Sequence, residues 1–239
     1  MSKTILISGG SRNLGQYIAK KYINKKFNII NLSRSGGQNI FDNYFFYKCD
    51  LSKNDNVKKV FKTLSRKFKN IDLIINCSGN SKKEFLNFET HKNWISSFNS
   101  NFFSFTNLLD NYLKYYSFKK TKIIVISSIA ANKIIDAPIT YSVSKCALSY
   151  YSKIKAKQLA KYKININIIS PGNILMNNNN WHKKIKKNKI KIKNYIKKNV
   201  PLGKFSTPDD IFNMCEYLFS ASGDNITGSN FILDGGQSL

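Results

Sequence analysis

Arginine, acidic residues and paired cysteines are all scarce in this chain of 239 residues. Its four cysteines, Cys49, Cys77, Cys146 and Cys215, lie far apart without a CxxC pair, which argues against a zinc site or a disulfide framework. We expect four buried thiols in a reducing compartment, and no metal. No apolar run is long enough to span a membrane, and no charged leader precedes the first apolar run. These absences favour a cytoplasmic protein with no membrane partner.

The charge of the chain is strongly unbalanced, with 39 Lys and Arg residues against 13 Asp and Glu and a formal net charge of +26. Only Arg12, Arg34 and Arg66 are arginines, so nearly all of the basic residues are lysines. A lysine excess of this kind is typical of exposed positions under an A/T-rich coding bias. A basic surface also attracts an anionic substrate, an acidic protein or nucleic acid.

The densest basic run, residues 182–198, has nine lysines and no acid. Nucleic-acid sites more often mix arginines and aromatic residues with the lysines. We therefore expect no nucleic-acid partner.

Short apolar runs alternate with amphipathic stretches along the whole chain. The predicted strands are residues 4–8, 27–33, 45–49, 71–76, 122–127, 164–169 and 230–233, and the predicted helices are residues 14–25, 55–69, 90–116, 142–162 and 208–221. This alternation predicts βαβ units, and hence a doubly wound parallel seven-stranded sheet of the α/β class. No linker or repeat divides residues 1–239, so we expect a single domain. In such sheets ligands bind at the carboxyl ends of the strands.

The first predicted strand runs into a turn of small residues, Ser8 to Gly15. Backbone N–H groups at the start of the next helix suit a pyrophosphate, and glycines let the backbone approach it closely. Asn13 stands where a third glycine would complete the pattern, but Asn is among the few residues that tolerate a positive φ. Taken alone, the motif leaves a structural turn and a dinucleotide site equally open.

Arg34 follows the second predicted strand, and Arg12 lies in the glycine-rich turn. At the position of Arg34 an acid favours the ribose 2′-hydroxyl of NAD, whereas a basic residue accommodates the 2′-phosphate of NADP. A planar guanidinium holds phosphate bidentately, which lysine cannot do. The pattern favours NADP(H); the alternative is two surface arginines placed there by chance.

Tyr141 and Lys145 form a YxxxK pair, and Ser128 lies thirteen residues before the tyrosine. The i,i+4 spacing puts the phenol and the ammonium on one helix face. A free tyrosine has a pKa of about 10. A nearby ammonium favours the phenolate and lowers this pKa, as general acid–base catalysis requires.

Together these motifs resemble those of short-chain dehydrogenases/reductases of the compact kind, and in pattern 3-oxoacyl-[acyl-carrier-protein] reductases most of all. The resemblance covers essentially the whole chain. Residues 8–15 resemble the family's TGxxxGxG turn, residues 49–51 its adenine-contacting aspartate motif, residues 76–79 its NNAG motif, residues 94–101 the helix with the active-site asparagine, residues 167–174 the PG loop beside nicotinamide, and residues 226–228 and 234–236 the C-terminal strand.

The resemblance implies a Rossmann-type fold, a ketone substrate, and NADPH as hydride donor. It also implies a catalytic tetrad. Tyr141 would protonate the ketone oxygen, and Ser128 would stabilise the charge on it. Lys145 would bind the nicotinamide ribose and lower the pKa of the tyrosine, and Asn101 would hold a water that relays protons.

The cofactor-binding residues that the resemblance implies span most of the motifs. They are Gly9, Ser11, Arg12, Asn13, Leu14, Gly15, Arg34, Asp50, Leu51, Asn76, Ser78, Gly79, Tyr141, Lys145, Pro171, Gly172 and Ile174. Met176 stands where the family usually has a threonine near the carboxamide, so we expect one cofactor hydrogen bond to be lost.

Residues 173–200 are predicted to form a lid over the substrate. Trp181 and the lysines suit an acyl chain on an acidic acyl carrier protein, and they suit a phosphorylated or nucleotide-linked sugar ketone equally well. Lys119 and Lys163, near the expected mouth, would steer an acidic carrier. The third possibility is a non-catalytic NADP-binding regulator, against which an intact tetrad argues.

Apolar side chains surround much of the predicted helices at 90–116 and 142–162. A helix that is apolar on more than one side is usually buried on more than one side. We therefore expect these two helices to form an interface of a homo-oligomer, a tetramer by the resemblance.

Overall fold

The structure, a computed structural model, describes residues 2–36, 41–81, 88–176 and 180–239. In these residues the strands are β1 (Thr4–Ser8), β2 (Asn28–Ser33), β3 (Tyr44–Lys48), β4 (Leu73–Asn76), β5 (Thr121–Ile126), β6 (Ile164–Pro171) and β7 (Asn230–Leu233). All pair in parallel in the order β3-β2-β1-β4-β5-β6-β7. The order reverses direction between β1 and β4, which opens a crevice at their carboxyl ends.

Eight α-helices lie in the described residues. They are α1 (Asn13–Asn24), α2 (Asn54–Lys67), α3 (His91–Phe98), α4 (Ser104–Tyr116), α5 (Ile139–Leu159), α6 (Asn180–Lys187), α7 (Lys189–Asn199) and α8 (Pro208–Phe219). A π-helical turn, Asn99–Phe103, joins α3 to α4. The predicted helix at 90–116 is therefore interrupted, because the side chain of Asn101 bonds to the Ser97 carbonyl one turn earlier.

The strands are apolar on both faces because helices cover both sides of the sheet. On one face, Leu6 and Ile74 pack in a core with residues of α2, α4 and α5, including Phe61. On the other face, alternate strand residues such as Ile5 pack with α1 and α8. This arrangement confirms the predicted Rossmann-type, doubly wound α/β fold.

The segment predicted as a lid contains α6 and α7, which have a small core of their own. Ile192 is buried there with Val200 and Phe205. The ring of Trp181 lies 5.2 Å from Tyr195 and 4.8 Å from Phe205, between centroids. Trp181, which the sequence analysis assigned to an acyl chain, thus packs against Tyr195 of the lid and Phe205 beyond its end.

The prediction of four buried thiols is wrong for two of them. Cys49 and Cys215 are buried, but Cys77 is half-buried and Cys146 is exposed. Each residue of a helix is rotated by about 100° from the previous one, so the burial of Lys145 turns Cys146 towards the surface. No helix in the described part of the chain is long and apolar enough to cross a membrane.

Candidate active site

The glycine-rich turn folds back on itself after β1. Asn13 has a φ of +48°, a positive value that asparagine tolerates, and Gly9 has a φ of +71°. A Cβ on Gly15 would lie 2.4 Å from the Gly9 carbonyl oxygen, so only glycine fits there. The N-cap, Arg12, makes no capping bond through its side chain, and the first turn of α1 has no acid. The N–H groups at this helix end therefore suit an anion.

A cavity of about 1030 Å³ extends from this turn across the ends of β2, β3 and β4. Most of the predicted cofactor-binding residues line it: Gly9, Ser11, Arg12, Asn13, Leu14, Gly15, Arg34, Asp50, Leu51, Ser78 and Gly79. Its volume is at the upper end of the range for small-molecule sites, as a dinucleotide needs. The cavity and its glycine turn therefore fit an extended phosphate-bearing cofactor.

The part of the cavity beside β2 carries basic side chains. Arg12 and Arg34 are both exposed cavity residues, and neither forms an ion pair within the described residues. Asp50 is the single acid among the described lining residues, and one of its carboxylate oxygens accepts bonds from the backbone and hydroxyl of Ser52.

A buried asparagine that sequence reasoning missed holds this part of the wall together. Asn31, inside the apolar strand β2, donates to Ser11 Oγ at 2.9 Å and accepts from Ser33 Oγ at 2.7 Å. It therefore links the phosphate turn to the residue before Arg34. The sequence feature that could have identified Asn31 is the presence of a polar residue within an otherwise apolar strand.

A donor without a partner lies at the end of β4. Asn76 is fully buried, and its Oδ1 accepts from Ser8 Oγ at 2.6 Å. Its Nδ2 has no hydrogen-bond partner among the described residues. A buried donor left in this state is costly, and its place beside the cavity fits a ligand that would satisfy it.

The opposite wall of the cavity was not predicted. It is formed by residues of α3 and the π-helical turn: His91, Lys92, Ile95, Ser96, Asn99 and Ser100. Their approach to the glycine turn depends on how α3 packs in the fold, for which the sequence carries no local pattern.

The structure brings Ser128, Tyr141 and Lys145 together after β5. Ser128 hydrogen-bonds the side chain of Tyr141. Lys145 Nζ lies 6.0 Å from the centroid of the tyrosine ring and donates to the Ile126 carbonyl oxygen at 2.8 Å. The lysine is 4% exposed, and burial lowers its pKa to about 8.

The predicted lowering of the tyrosine pKa by Lys145 is not what this structure shows. Burial raises the pKa of Tyr141, and the bond from Ser128 opposes that rise in part. Because the ammonium is bonded to the Ile126 carbonyl and not to the phenol, its influence on Tyr141 does not outweigh burial.

Asn101 is fully buried and holds the loop after β4. Its Oδ1 accepts from Asn80 N at 2.9 Å, and its Nδ2 donates to Asn80 O at 3.0 Å. A Cβ on Gly79 would lie 2.8 Å from Asn101 Oδ1 and 3.2 Å from Lys145 Nζ. The absence of a side chain at Gly79 therefore lets the asparagine and the lysine approach each other.

Pro171, Gly172 and Ile174 lie at and beyond the end of β6. Gly172 N donates to Leu233 O at 3.0 Å, and Ile174 forms a parallel bridge with Ser206. These three residues, with Asn76, Tyr141 and Lys145, are the predicted cofactor residues outside the described lining of the cavity. They lie at the same edge of the sheet.

The expectation that Lys119 and Lys163 lie near the mouth of the site is wrong. These residues immediately precede β5 and β6, at the amino end of the sheet, whereas the tetrad and the cavity lie at the carboxyl end. The sequence interpretation placed both lysines near the mouth of the site, although each precedes a predicted strand instead of following one.

Comparisons with known proteins agree with this geometry. Residues 12–238 match a family model described as enoyl-(acyl carrier protein) reductase. The 3-oxoacyl-[acyl-carrier-protein] reductase FabG of Chlamydia trachomatis is 28% identical over 252 residues, covering 99% of this chain and 98% of that protein.

Solved structures with the same fold include two with a bound nicotinamide cofactor. A short-chain dehydrogenase of Leptospira borgpetersenii with bound NAD+ is 25% identical, with a TM-score of 0.89 over 100% of this chain and 94% of that one. L-Sorbose reductase of Gluconobacter frateurii, complexed with NADPH and L-sorbose, is 22% identical, with a TM-score of 0.86 over 99% and 96% of the two chains.

The fold and the site define a nicotinamide-dependent oxidoreductase with a Rossmann-type sheet. The chain belongs to the short-chain dehydrogenase/reductase family.

Proposed function

We propose that this protein is an NADPH-dependent reductase that transfers a hydride to a ketone, with Tyr141 as the proton donor. The observation that carries the proposal is the meeting of Ser128, Tyr141 and Lys145 after β5, at the same edge of the sheet as a cavity shaped for a dinucleotide. Buried groups with shifted pKa values in a cleft are typical of active sites.

Each residue has a distinct task in this mechanism. NADPH supplies the hydride when it is bound. The Tyr141 phenol gives its proton to the ketone oxygen, and the Ser128 hydroxyl stabilises negative charge there. Lys145, held by the Ile126 carbonyl, would bind the nicotinamide ribose. Asn101 would hold the water through which the proton is replaced, while its amide keeps the loop at Asn80 in place.

NADP(H) is the proposed cofactor because Arg12 and Arg34 line the cavity without acidic partners among the described ion pairs. No acid follows β2, where one would favour NAD. Structural neighbours of the chain bind either NAD+ or NADPH, so this preference depends on the two arginines.

A 3-oxoacyl thioester carried on an acidic acyl carrier protein is the proposed substrate. The support is the similarity to carrier-protein reductases and the exposed lysines of α6 and α7. The second candidate is a phosphorylated or nucleotide-linked sugar ketone, which the same lysines suit.

A turnover panel separates these candidates. NADPH oxidation should be followed with carrier-linked 3-ketoacyl thioesters, with simple β-ketoesters and with keto-sugars. The proposal expects the carrier-linked thioesters to have the highest kcat/KM. A preference for keto-sugars would replace the substrate assignment, and NADPH binding without turnover of any ketone would indicate a regulator.

We further propose a cytoplasmic homotetramer whose subunits are single domains of residues 1–239 with a lid at 173–200. The support for assembly is apolar exposure on the π-helical turn and α5: Phe103, Val143, Tyr150 and Ile154 are all exposed. Phe105 and Tyr112, which also lie in the predicted helix at 90–116, are buried in the core and contribute nothing to such an interface.

A further inference from the structure

A series of buried hydrogen bonds connects the helical segment of Asn101 to the helix of Tyr141. Asn101 Nδ2 donates to Ser97 Oγ at 3.2 Å. The Ser97 and Ser144 hydroxyl oxygens are 3.1 Å apart, and Ser144 Oγ donates to the Tyr141 carbonyl oxygen at 2.9 Å. Ser97, Asn101 and Ser144 are all buried.

The outer bonds fix the direction of the bond between the two serines. A serine hydroxyl has one proton to donate. Ser144 gives its proton to the Tyr141 carbonyl, so the proton between the serines comes from Ser97. Every donor in the series therefore points from Asn101 towards Tyr141, and Ser97 Oγ is left as an acceptor for the asparagine amide.

An acceptor at Ser97 Oγ selects one orientation of the Asn101 side chain. In the orientation present, Nδ2 faces three oxygens, those of the Asn80 carbonyl, the Ser97 carbonyl and the Ser97 hydroxyl. A flipped amide would place Oδ1 against all three and leave the Asn80 N–H facing a donor. The series thus favours the orientation in which Asn101 Oδ1 accepts from Asn80 N.

We propose that Ser97 and Ser144 are positioning residues. They hold the Asn101 carboxamide in its working orientation, and they fix the π-helical turn against the first turn of α5, where Tyr141 lies. As a role in catalysis this inference rests on the proposed reductase function. The predicted effect on the hydrogen bond between Asn101 and Asn80 does not depend on that function.

Ser152 provides a matched control on the same helix. It is fully buried, and its hydroxyl donates to the Leu148 carbonyl at 2.7 Å within α5. Replacing it with alanine removes a buried serine hydroxyl without touching the connection between the two helices. A purely structural role for Ser97 and Ser144 would make their variants behave like Ser152→Ala.

The kinetic test compares Ser97→Ala, Ser144→Ala, the double variant and Ser152→Ala. We expect kcat to fall by about fivefold in each of the first two, the effect of one neutral hydrogen bond, with an unchanged Kd for NADPH. Because the two serines act in one series, the kcat of the double variant should be no lower than that of the less active single variant. Ser152→Ala should retain its kcat. Losses that multiply in the double variant, or equal losses in Ser152→Ala, would overturn the proposal.

A second readout is independent of turnover. Hydrogen exchange of the Asn80 amide, measured in the cofactor-free protein, reports whether Asn101 Oδ1 still accepts from it. We expect about fivefold faster exchange in Ser97→Ala and no change in Ser152→Ala. Unchanged exchange in Ser97→Ala would refute the positioning role. If the exchange responds as expected but no ketone is reduced, the positioning stands and the proposed function fails.

Discussion

Lys145 donates a 2.8 Å hydrogen bond to the carbonyl oxygen of Ile126, the last residue of β5. The bond fixes the ammonium at the carboxyl end of the sheet, where a cofactor ribose would lie. The ammonium is buried there, and its hydrogen-bond partner is an uncharged carbonyl and not a carboxylate. Burial disfavours the charged form and therefore lowers the pKa of Lys145 from 10.5 to about 8.

This shift predicts an effect of Lys145→Met on stability that depends on pH. Below pH 8 the lysine is charged in both states, and burying it costs on the order of 3 kcal/mol. Between pH 8 and 10.5 the unfolded chain binds the extra proton, so this lysine makes stability rise with pH. We expect the variant to gain most in Tm over the wild type at pH 7, and the gain to shrink by pH 10. A difference in Tm that is constant over this range would contradict the assignment.

Tyr141→Phe should abolish turnover and leave NADPH binding nearly intact, because the phenol supplies a proton and contributes little to dinucleotide affinity. Lys145→Ala should weaken NADPH binding and reduce turnover with it, since the ammonium would hold the nicotinamide ribose in place for hydride transfer. Steady-state kinetics and equilibrium titration with NADPH measure the two effects separately. A Tyr141→Phe enzyme that keeps more than about a few per cent of kcat would show that another group is the proton donor.

The cofactor prediction concerns the charge beside β2. Measured Kd values should favour NADPH over NADH by at least about tenfold, since charge-assisted bonds to a 2′-phosphate contribute roughly 1.5–3 kcal/mol. Arg34→Met should remove most of this difference by weakening NADPH alone. Arg66→Met is the matched control, because Arg66 is exposed in the last turn of α2. Equal affinities in the wild type would exclude the preference.

The fold could be predicted because its signals are local. Each apolar run and each amphipathic stretch has a period that identifies it, and the residue type of Asn13 is compatible with the positive φ that the structure shows. The YxxxK spacing likewise places Tyr141 and Lys145 on one face of α5. These inferences needed no knowledge of how distant segments pack.

The features that were missed depend on packing between distant segments. The bond from Lys145 to Ile126 joins residues nineteen positions apart, and the burial that lowers the pKa of the lysine likewise depends on how α5 packs against the sheet. The wall formed by α3 and the bond between Asn31 and Ser11 arise only when strands and helices are assembled. Lys119 is a different case, because it precedes the predicted strand 122–127 and the sequence alone could have placed it at the amino end of the sheet.

Assembly through α5 can be tested at its exposed apolar residues. Tyr150 and Ile154 are 69% and 42% exposed on this helix. We expect light scattering to give the mass of a tetramer for the wild type and a smaller species for Ile154→Lys. Ile190→Lys, on the lid, is the control and should assemble normally. A wild-type mass near 27 kDa at micromolar concentration would rule out the oligomer.

The lid, residues 173–200, contains the densest run of lysines in the chain. Lys186, Lys187 and Lys189 are exposed at the junction of α6 and α7. The printed sequence from 173 to 200 contains no acid that could pair with them. Exposed charge of one sign accelerates the capture of an anionic substrate and leaves the chemical step unaffected.

This reasoning predicts that added salt lowers kcat/KM for the true substrate and changes kcat little, since salt screens exposed charges beyond about 8 Å at physiological ionic strength. Replacing the three lid lysines with glutamine should flatten the dependence. A control with the same change in net charge replaces three exposed lysines of α2, which are Lys58, Lys59 and Lys62. If the α2 variant flattens the salt dependence equally, the effect arises from the net charge of the protein and not from the lid lysines. If kcat/KM of the wild type is independent of salt, the lid lysines are a solvated surface without a role in capture.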